Sequence, residues 1–175
     1  MLSAVLFSIN INGYDLWAPD EPRFAQVARE MLDSGNYMVP RINGKPYTEK
    51  PPLLVWAQAL LSYPAGDVTE LTARLPLVIS GIITVIFTFL LGIRLFDRKT
   101  AFYAAILLMT IQRFWWQARF GQVDMMLTAC LTVALYFFWV WHKERRTSSL
   151  ISFYIAIALG AFTKGPPALI FPLLM

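Results

Sequence analysis

A run of nineteen residues without a charge, from Leu75 to Ile93, constrains the fold of this chain more than any other feature. A helix needs about 20 mainly apolar residues to cross the hydrocarbon core of a bilayer, so this run predicts a membrane span. Charge-free apolar runs recur from Met125 to Trp141 and from Leu150 to Phe162. Hydrophobic residues form 57% of the 175-residue chain, more than a soluble domain carries. The sequence therefore predicts an all-α, polytopic membrane helix bundle.

Four shorter apolar segments complete the predicted architecture. The N-terminal MLSAVLFSINI lacks the basic region of a signal peptide and is interpreted as a first span that is shortened at its N-terminus. A further span begins near Ala101, whereas the segment from Leu53 to Tyr63 is too short to cross and is expected to lie in the membrane interface. The final PPALIFPLLM has the composition of a span that is cut short. We therefore expect about five spans, with two interfacial helices in the first external loop.

Basic residues directly follow two of the spans and predict the orientation. They are Arg94, Arg98 and Lys99 after the first long run, and Lys143, Arg145 and Arg146 after the second. Short basic loops usually face the cytoplasm, so residues 14–74 are expected to form the first extracytoplasmic loop. By alternation, the loop from Gln112 to Asp124 and the sequence around Lys164 face the same side. The net charge of +4 lies in short runs and forms no continuous stripe, so no nucleic-acid partner is expected.

The predicted external loop contains an amphipathic helix. Pro22 is favoured at the first helical position, which makes Glu21 the predicted cap and leaves Asp20 just outside the helix N-terminus. Apolar residues then recur with helical spacing as far as Leu32, and Ser34-Gly35 provides a stop. Next to membrane spans, this pattern favours a helix that lies on the membrane surface with its apolar face down. A helix of a soluble domain would show the same periodicity.

In this topology, carboxylates and cations converge at one membrane interface. A carboxylate there can act as a general base toward an attacking hydroxyl, while arginine and lysine bind phosphate and stabilise the charge of a leaving group. The candidate catalytic residues are Asp20, Glu21 and Asp124, and the candidate phosphate-binding residues are Arg23, Lys50 and Lys164. This combination suits a reaction on a lipid-linked, phosphate-bearing substrate.

Most of these residues also have a purely structural explanation. Asp20 and Glu21 can simply cap a helix, Lys50 can extend its amine toward the membrane surface, and Glu49 with Lys50 can form a solvated ion pair. Asp124 is harder to explain in this way, because it opens a long apolar span, where an ionisable residue indicates function. The alternatives to an enzyme are a transporter or channel segment that uses Asp124 and Lys164, and a non-catalytic assembly subunit.

The motifs of the chain resemble those of a known family. They are DEPR at Asp20–Arg23, NGKPYTEKPPL at Asn43–Leu53, RFGQVD at Arg119–Asp124 and TKGP at Thr163–Pro166. Together they are similar to motifs of the bacterial lipid A aminoarabinose transferases. Those enzymes belong to the protein O-mannosyltransferase-like superfamily, whose integral-membrane fold is called GT-C. The resemblance covers essentially the whole chain.

The resemblance implies a function. It implies inverting transfer of a sugar from a polyprenyl-phosphate donor to a lipid A-like or protein acceptor, at the outer face of the bacterial inner membrane. Asp20 then matches the catalytic carboxylate, and Lys50 matches the residue that contacts the lipid phosphate. Glu49 matches a ligand of a divalent metal, which the resemblance allows as a cofactor. The family's histidine partner for that metal comes from a later part of its chain, and His142 is expected on the cytoplasmic side.

Length is the main departure from the family pattern. Family members carry roughly twice as many spans, so residues 1–175 are expected to be the N-terminal transmembrane catalytic portion of such an enzyme, and a fragment of this kind can lack activity alone. The sequence as a whole predicts a membrane glycosyltransferase whose partners are a polyprenyl-phosphate-linked sugar, an acceptor and the surrounding membrane lipids.

Overall fold

The structure, a computed structural model, describes residues 2–173. In this range, α-helices account for most of the chain, and the strands form one short antiparallel hairpin of β1 (Arg41–Ile42) and β2 (Lys45–Pro46). The helices are α1 (Leu2–Ser8), α2 (Asp20–Ser34), α3 (Leu53–Ser62), α4 (Glu70–Leu95), α5 (Arg98–Thr110), α6 (Gln112–Gln117), α7 (Val123–Glu144), α8 (Thr147–Lys164) and α9 (Pro167–Leu173). A 3-10 turn at Tyr63–Ala65 follows α3. The predicted all-α membrane bundle is confirmed.

Three helices within residues 2–173, namely α4, α7 and α8, are long and apolar enough to cross a membrane. About five spans were expected, and the helix near Ala101 accounts for part of the difference. This helix, α5, has 13 residues, which at about 1.5 Å per residue rise roughly 20 Å, less than the ~30 Å of a bilayer core. It ends at Thr110 because Ile111 has an extended backbone (φ −64°, ψ 118°), and α6 then continues the chain.

α4 and α7 run parallel to each other. At one end, the Glu21 carboxylate bonds both Arg74, near the start of α4, and the N–H of Gly121, just before α7. At the other end, the guanidinium of Arg94 pairs with the carboxylate of Glu144, with 2.6 Å between Nη1 and Oε1. The segment made of α5 and α6 therefore returns the chain to the end where both long helices begin, which we call the site end.

α8 runs back toward the site end, where the amine of Lys164 forms an ion pair with Asp124 at the start of α7. The turn after α6 reaches the same end by packing closely on α4. A Cβ added at Gly81 of α4 would lie 2.8 Å from the Cβ of Ala118, so glycine at this position permits the close approach. Four parts of the chain therefore meet at the site end: the start of α2, the 119–122 turn, the start of α7 and the end of α8.

α2 buries the apolar face that its periodicity predicts, but this face packs toward α3 and not against the membrane surface as expected. Its buried apolar residues are Phe24, Ala25, Val27, Ala28 and Met31. Gly35 ends the helix in the left-handed conformation (φ 64°), and its N–H donates to the carbonyl of Leu32. The prediction that Glu21 is the cap is wrong: the helix begins at Asp20, and Pro19 occupies the N-cap position. Glu21 lies in the first turn instead, because its carboxylate is drawn into a buried ion pair.

The hairpin between α2 and α3 turns at Asn43 and Gly44, whose φ angles are 52° and 75°. Positive φ at two central residues is typical of the tight turns that fit the twist of paired strands, and Asn-Gly is the preferred sequence for them. The carboxylate of Glu30 on α2 accepts hydrogen bonds from the N–H groups of both residues, at 2.6 and 3.1 Å. These bonds hold the hairpin, and the Tyr47–Lys50 segment that follows it, against α2.

Candidate functional site

Asp20 stands at the centre of the site end. One oxygen of its carboxylate, Oδ1, accepts a hydrogen bond from Nη2 of Arg23 at 2.6 Å, and the other, Oδ2, accepts one from the side-chain amide of Gln122. Arg23 lies one turn further along α2, so the helical spacing itself brings the two side chains together. The Asp20 side chain is 23% exposed. The Asp20 carboxylate is therefore partly accessible from solvent.

Arg23 joins Asp20 to the segment after the hairpin. Its Nη1 donates to Oε2 of Glu49 at 3.1 Å, while its Nη2 bonds Asp20. The Glu49 side chain is 64% exposed, so this second ion pair faces solvent. Exposed pairs of this kind contribute little stability and exchange partners readily. Arg23 can therefore donate to a ligand oxygen in place of Glu49.

Lys50 differs from the other two predicted phosphate-binding residues. Arg23 and Lys164 are each paired with a carboxylate, whereas Lys50 forms no ion pair with any residue from 2 to 173. Its half-buried side chain follows Glu49, and Pro51-Pro52 then leads into α3. Within the described range, Lys50 is thus the predicted phosphate-binding residue whose charge is not neutralised by a carboxylate.

Asp124 and Lys164 form a second ion pair at the site end. Asp124 lies in the first turn of α7 and Lys164 in the last turn of α8, so each charge is also favoured by the dipole of its own helix. Both side chains are 35% exposed. Gln122, which bonds Asp20, precedes Asp124 by two residues, so the two carboxylates belong to one cluster.

Glu21 occupies a different environment from its neighbour Asp20. Its carboxylate accepts two hydrogen bonds from Arg74, at 3.0 and 2.8 Å, and one each from the N–H groups of Trp17 and Gly121, both at 2.8 Å. The side chains of Glu21 and Arg74 are 1% and 0% exposed. A carboxylate that is buried and fully occupied has no access to substrate. The structure thus does not place Glu21 among the groups that can take a substrate proton.

Arg74 uses its remaining N–H groups on the loop before α2. They donate to the carbonyls of Ile11, Tyr14 and Asp15 at 2.7 to 3.0 Å, and the guanidinium lies 3.9 Å from the centre of the Tyr14 ring. This single side chain therefore ties the loop to α4 through three backbone carbonyls.

An apolar cavity of about 400 Å³ lies between α3, α4, α7 and α8. Its walls include Leu53, which follows Lys50 by three residues, and Met126, which follows Asp124 by two. They continue past Pro76 and Cys130 toward the middle of the bundle. The walls are almost entirely hydrocarbon, which suits an acyl or prenyl chain. The charged cluster and the apolar cavity together fit a molecule with a polar head and a long apolar tail.

Comparison with known proteins identifies the family of this chain. Residues 49–175 match the family described as dolichyl-phosphate-mannose-protein mannosyltransferase. The chain belongs to this family.

Its relatives in this mannosyltransferase family include bacterial arabinosyl transferases. Undecaprenyl phosphate-alpha-4-amino-4-deoxy-L-arabinose arabinosyl transferase from Shewanella sediminis is 31% identical over 98% of this chain and 32% of its own length. The corresponding enzyme from Yersinia enterocolitica is 29% identical over 98% of this chain and 32% of its own length. The chain thus spans about a third of the length of these relatives.

Solved structures show the same fold. The crystal structure of ArnT from Cupriavidus metallidurans bound to undecaprenyl phosphate superposes with a TM-score of 0.91 at 25% identity, and covers 98% of this chain and 32% of that one. ArnT in the apo state superposes equally well. The predicted resemblance to lipid A aminoarabinose transferases is confirmed by these matches.

The residues that the structure describes do not fit a metal. No group of three or more His, Cys, Asp or Glu side chains in residues 2–173 is arranged to hold an ion. Glu49, the predicted ligand, already pairs with Arg23. His142 lies in the last turns of α7, at the opposite end of that helix from Asp124. The described residues thus do not form a complete metal site by themselves.

Sequence reasoning did not find Gln122 and Arg74 as partners of the site carboxylates. Gln122 lies within the RFGQVD motif, two residues before Asp124, and this position is the one signal for it in the sequence. Arg74 was noted only as the residue before a membrane span. A cation at that position usually snorkels to the interface, and nothing in the sequence indicates that it turns inward to a glutamate 53 residues away.

Proposed function

We propose that this protein is a glycosyltransferase that moves a sugar from a polyprenyl-phosphate donor to an acceptor hydroxyl at the membrane surface. The observation that carries the proposal is an apolar cavity whose lining includes Leu53, three residues after Lys50, and Met126, two residues after Asp124. A prenyl chain in this cavity would direct its phosphate toward Lys50 and Arg23. The arabinosyl transferases named above support this donor class, because their names specify an undecaprenyl-phosphate-linked sugar.

Each charged residue of the cluster has a role in this reaction. The acceptor oxygen forms a bond to the anomeric carbon of the sugar, and the Asp20 carboxylate takes its proton as general base. The bond between the anomeric carbon and the phosphate oxygen breaks on the opposite face, so the configuration inverts. Lys50 and Arg23 bind the phosphate and stabilise the negative charge that polyprenyl phosphate gains as it leaves. Asp124 and Lys164, held in their own ion pair, stand beside this centre as a second base and a further phosphate contact.

We assign the acceptor to the lipid class, with a lipid A-like molecule as the first choice. The resemblance to the aminoarabinose transferases supports a lipid, whereas the family description names protein mannosylation. Donor labelled in its sugar would be supplied with lipid A in one reaction and with membrane proteins in another. Label in lipid A supports the assignment, and label confined to protein overturns it.

We also propose that the site end faces the periplasm, as the basic loops at the opposite end suggest. Asn43 and Ser148 are both exposed and lie on segments that this orientation puts on opposite sides. Single cysteines at these two positions, in a Cys130→Ser background, would be treated in intact cells with a membrane-impermeant thiol reagent. We expect labelling at position 43 and none at 148. The reverse pattern would place the site in the cytoplasm and exclude a periplasmic acceptor.

The donor assignment is tested by binding and transfer in proteoliposomes that contain the protein expressed from its complete reading frame. A charge-assisted contact to a buried anion is typically worth on the order of 2–5 kcal/mol, so Lys50→Ala should weaken binding of undecaprenyl phosphate at least about tenfold. Lys45→Ala, in the exposed hairpin, is the matched control and should leave binding unchanged. Equal affinities for both variants and the wild type would show that Lys50 does not contact the phosphate.

A further inference from the structure

The hydroxyl of Tyr47 is buried without a partner. The residue is 6% exposed, and its Oη forms no hydrogen bond with any residue from 2 to 173. Its ring is held in place by edge-to-face packing on Phe24, with the ring centres 6.5 Å apart. Burying a polar group without a hydrogen bond costs on the order of 1–3 kcal/mol, so such a group calls for an explanation. A phenylalanine would pack on Phe24 equally well without this cost.

A second polar atom without a partner lies nearby. Nε of Arg23 is buried and makes no hydrogen bond to the described residues, although both terminal nitrogens of the same guanidinium are engaged. That guanidinium lies 5.5 Å from the centre of the Phe24 ring, the ring on which Tyr47 also packs. The residues that carry these two unused donors, Tyr47 and Arg23, therefore both pack on the ring of Phe24.

A tyrosine hydroxyl can donate a hydrogen bond, and so can Nε of an arginine. A donor beside an arginine complements an anionic oxygen.

We infer that Tyr47 is a donor-binding residue, and that its hydroxyl and Nε of Arg23 bind an oxygen of the phosphate on the polyprenyl substrate. The inference rests on the proposed function and adds a residue to it. Access requires the phosphate to displace Glu49 from Arg23. Because the Glu49 side chain is 64% exposed, this costs little. Once Glu49 has moved, an oxygen of the phosphate accepts hydrogen bonds from Oη of Tyr47 and Nε of Arg23, which without it have no partner among residues 2–173.

Tyr47→Phe is the sharpest test, because it removes the hydroxyl and keeps the ring. The matched control is Tyr37→Phe, since Tyr37 is 40% exposed and contributes only its backbone carbonyl to a hydrogen bond, with the indole of Trp56. The measurements are the affinity for undecaprenyl phosphate in detergent micelles and the Tm without ligand, on the protein expressed from its complete reading frame. Lys50→Ala serves as the positive control for loss of binding.

We expect Tyr47→Phe to weaken undecaprenyl phosphate binding roughly tenfold or more, as for the loss of a hydrogen bond to a charged group. The Tm without ligand should stay the same or rise, because no internal hydrogen bond is lost. Tyr37→Phe should change neither quantity.

Three results would overturn the inference. Unchanged affinity of Tyr47→Phe, where Lys50→Ala binds weakly, would show that the hydroxyl does not touch the phosphate and would leave the proposed function intact. A lower Tm for Tyr47→Phe would show that the hydroxyl serves a hydrogen bond within the protein. Absence of undecaprenyl phosphate binding by the wild type would instead overturn the proposed donor, and the inference with it.

Discussion

Asp20 and Glu21 are adjacent carboxylates, yet they belong to two ion-pair networks of opposite character. Glu21 pairs with Arg74 in a fully buried network, where both of its oxygens are occupied by four donors. Asp20 pairs with Arg23 in an open network that extends to an exposed glutamate. The comparison shows how one dipeptide can supply both a buried structural group and an accessible group, to which the proposed function gives the role of base. Burial and completeness of hydrogen bonding distinguish the two roles.

The buried network supports the open one directly. Glu21 accepts the N–H of Gly121 while Asp20 accepts the amide of Gln122, so two neighbouring residues of one segment are bonded to two neighbouring residues of the other. A Cβ at Gly121 would lie 2.9 Å from Cγ of Glu21, so glycine is required for this close approach. The Glu21–Arg74 pair therefore fixes where Gln122 meets the carboxylate of Asp20.

The largest expected effect is on turnover and comes from the open network. Asp20→Asn keeps the size of the side chain but cannot accept the proton of the acceptor, so turnover should fall roughly 10²–10⁴-fold, the usual contribution of a general base. The Tm and the affinity for the donor should stay near those of the wild type. Sugar transfer from a purified donor measures the effect. Asp33→Asn, at an exposed position of the same helix, is the control.

Near-normal turnover for Asp20→Asn would contradict the comparison. Asp124 would then be the carboxylate to replace next.

The second effect is on stability and comes from the buried network. Arg74→Met leaves the Glu21 carboxylate buried without its partner, which typically costs about 3–5 kcal/mol. Thermal unfolding in detergent micelles should show a large decrease in Tm. The double variant Glu21→Met with Arg74→Met removes both charges and should regain most of the loss. A double variant that is less stable than Arg74→Met alone would show that the hydrogen bonds to the backbone, rather than the charge pair, hold this region.

A smaller effect is expected for the hydrogen bonds between the hairpin and Glu30. The pKa of Glu30 is held below its ordinary value of 4.5, mainly because the N–H of Gly44 donates to its carboxylate, with further contributions from Gln26 and Asn43. A lowered pKa in the folded state means that the carboxylate stabilises the fold above the ordinary pKa and stops doing so as the pH falls through the lowered value. Glu30→Gln should thus lower the Tm at pH 7 by about 1–3 °C.

The same substitution should have less effect in acid. Tm values of Glu30→Gln and the wild type, measured from pH 7 down to about pH 3, should converge as the wild-type carboxylate gains its proton. A Tm difference that stays constant with pH would show that the charge of Glu30 plays no part in holding the hairpin.

The smallest effect is expected at the opposite end of the bundle. The Arg94–Glu144 pair is partly exposed, with the arginine side chain 44% accessible, and exposed pairs typically contribute about 0–1 kcal/mol. Arg94→Gln should change the Tm by no more than about 2 °C and leave donor binding unchanged. A decrease in Tm as large as that of Arg74→Met would mean that exposure does not distinguish structural ion pairs from dispensable ones in this protein.

Local patterns predicted much of the fold. The charge-free runs located α4, α7 and α8, and the helical spacing of α2 located its buried face and its end at Gly35. Alternation of the spans also predicted that Asp20, Asp124 and Lys164 would share one end, where the structure places them.

Pairings over long separations could not be predicted in this way. Arg74 bonds Glu21, 53 residues away in the sequence, and Gln122 bonds Asp20, 102 residues away. These contacts depend on tertiary packing, which no local sequence pattern encodes. The Glu21 carboxylate was assigned to a helix cap because the dipeptide alone fits one. The unused hydroxyl of Tyr47 was missed for the same reason, since its burial depends on contact with Phe24 of another segment.

The parallel arrangement of α4 and α7 also determines when the site can form during synthesis. Glu21 and Gly121 are 100 residues apart, and a ribosome that adds about 5–20 residues per second needs roughly 5–20 s to make the chain between them. Arg74 is made well before Gly121, so the buried pair can anchor the first loop while α5 and α6 have yet to be inserted. The order of synthesis thus allows the first loop to be anchored before the segment that carries Gln122 is made. Insertion of the returning segment is thus the step that completes the surroundings of Asp20.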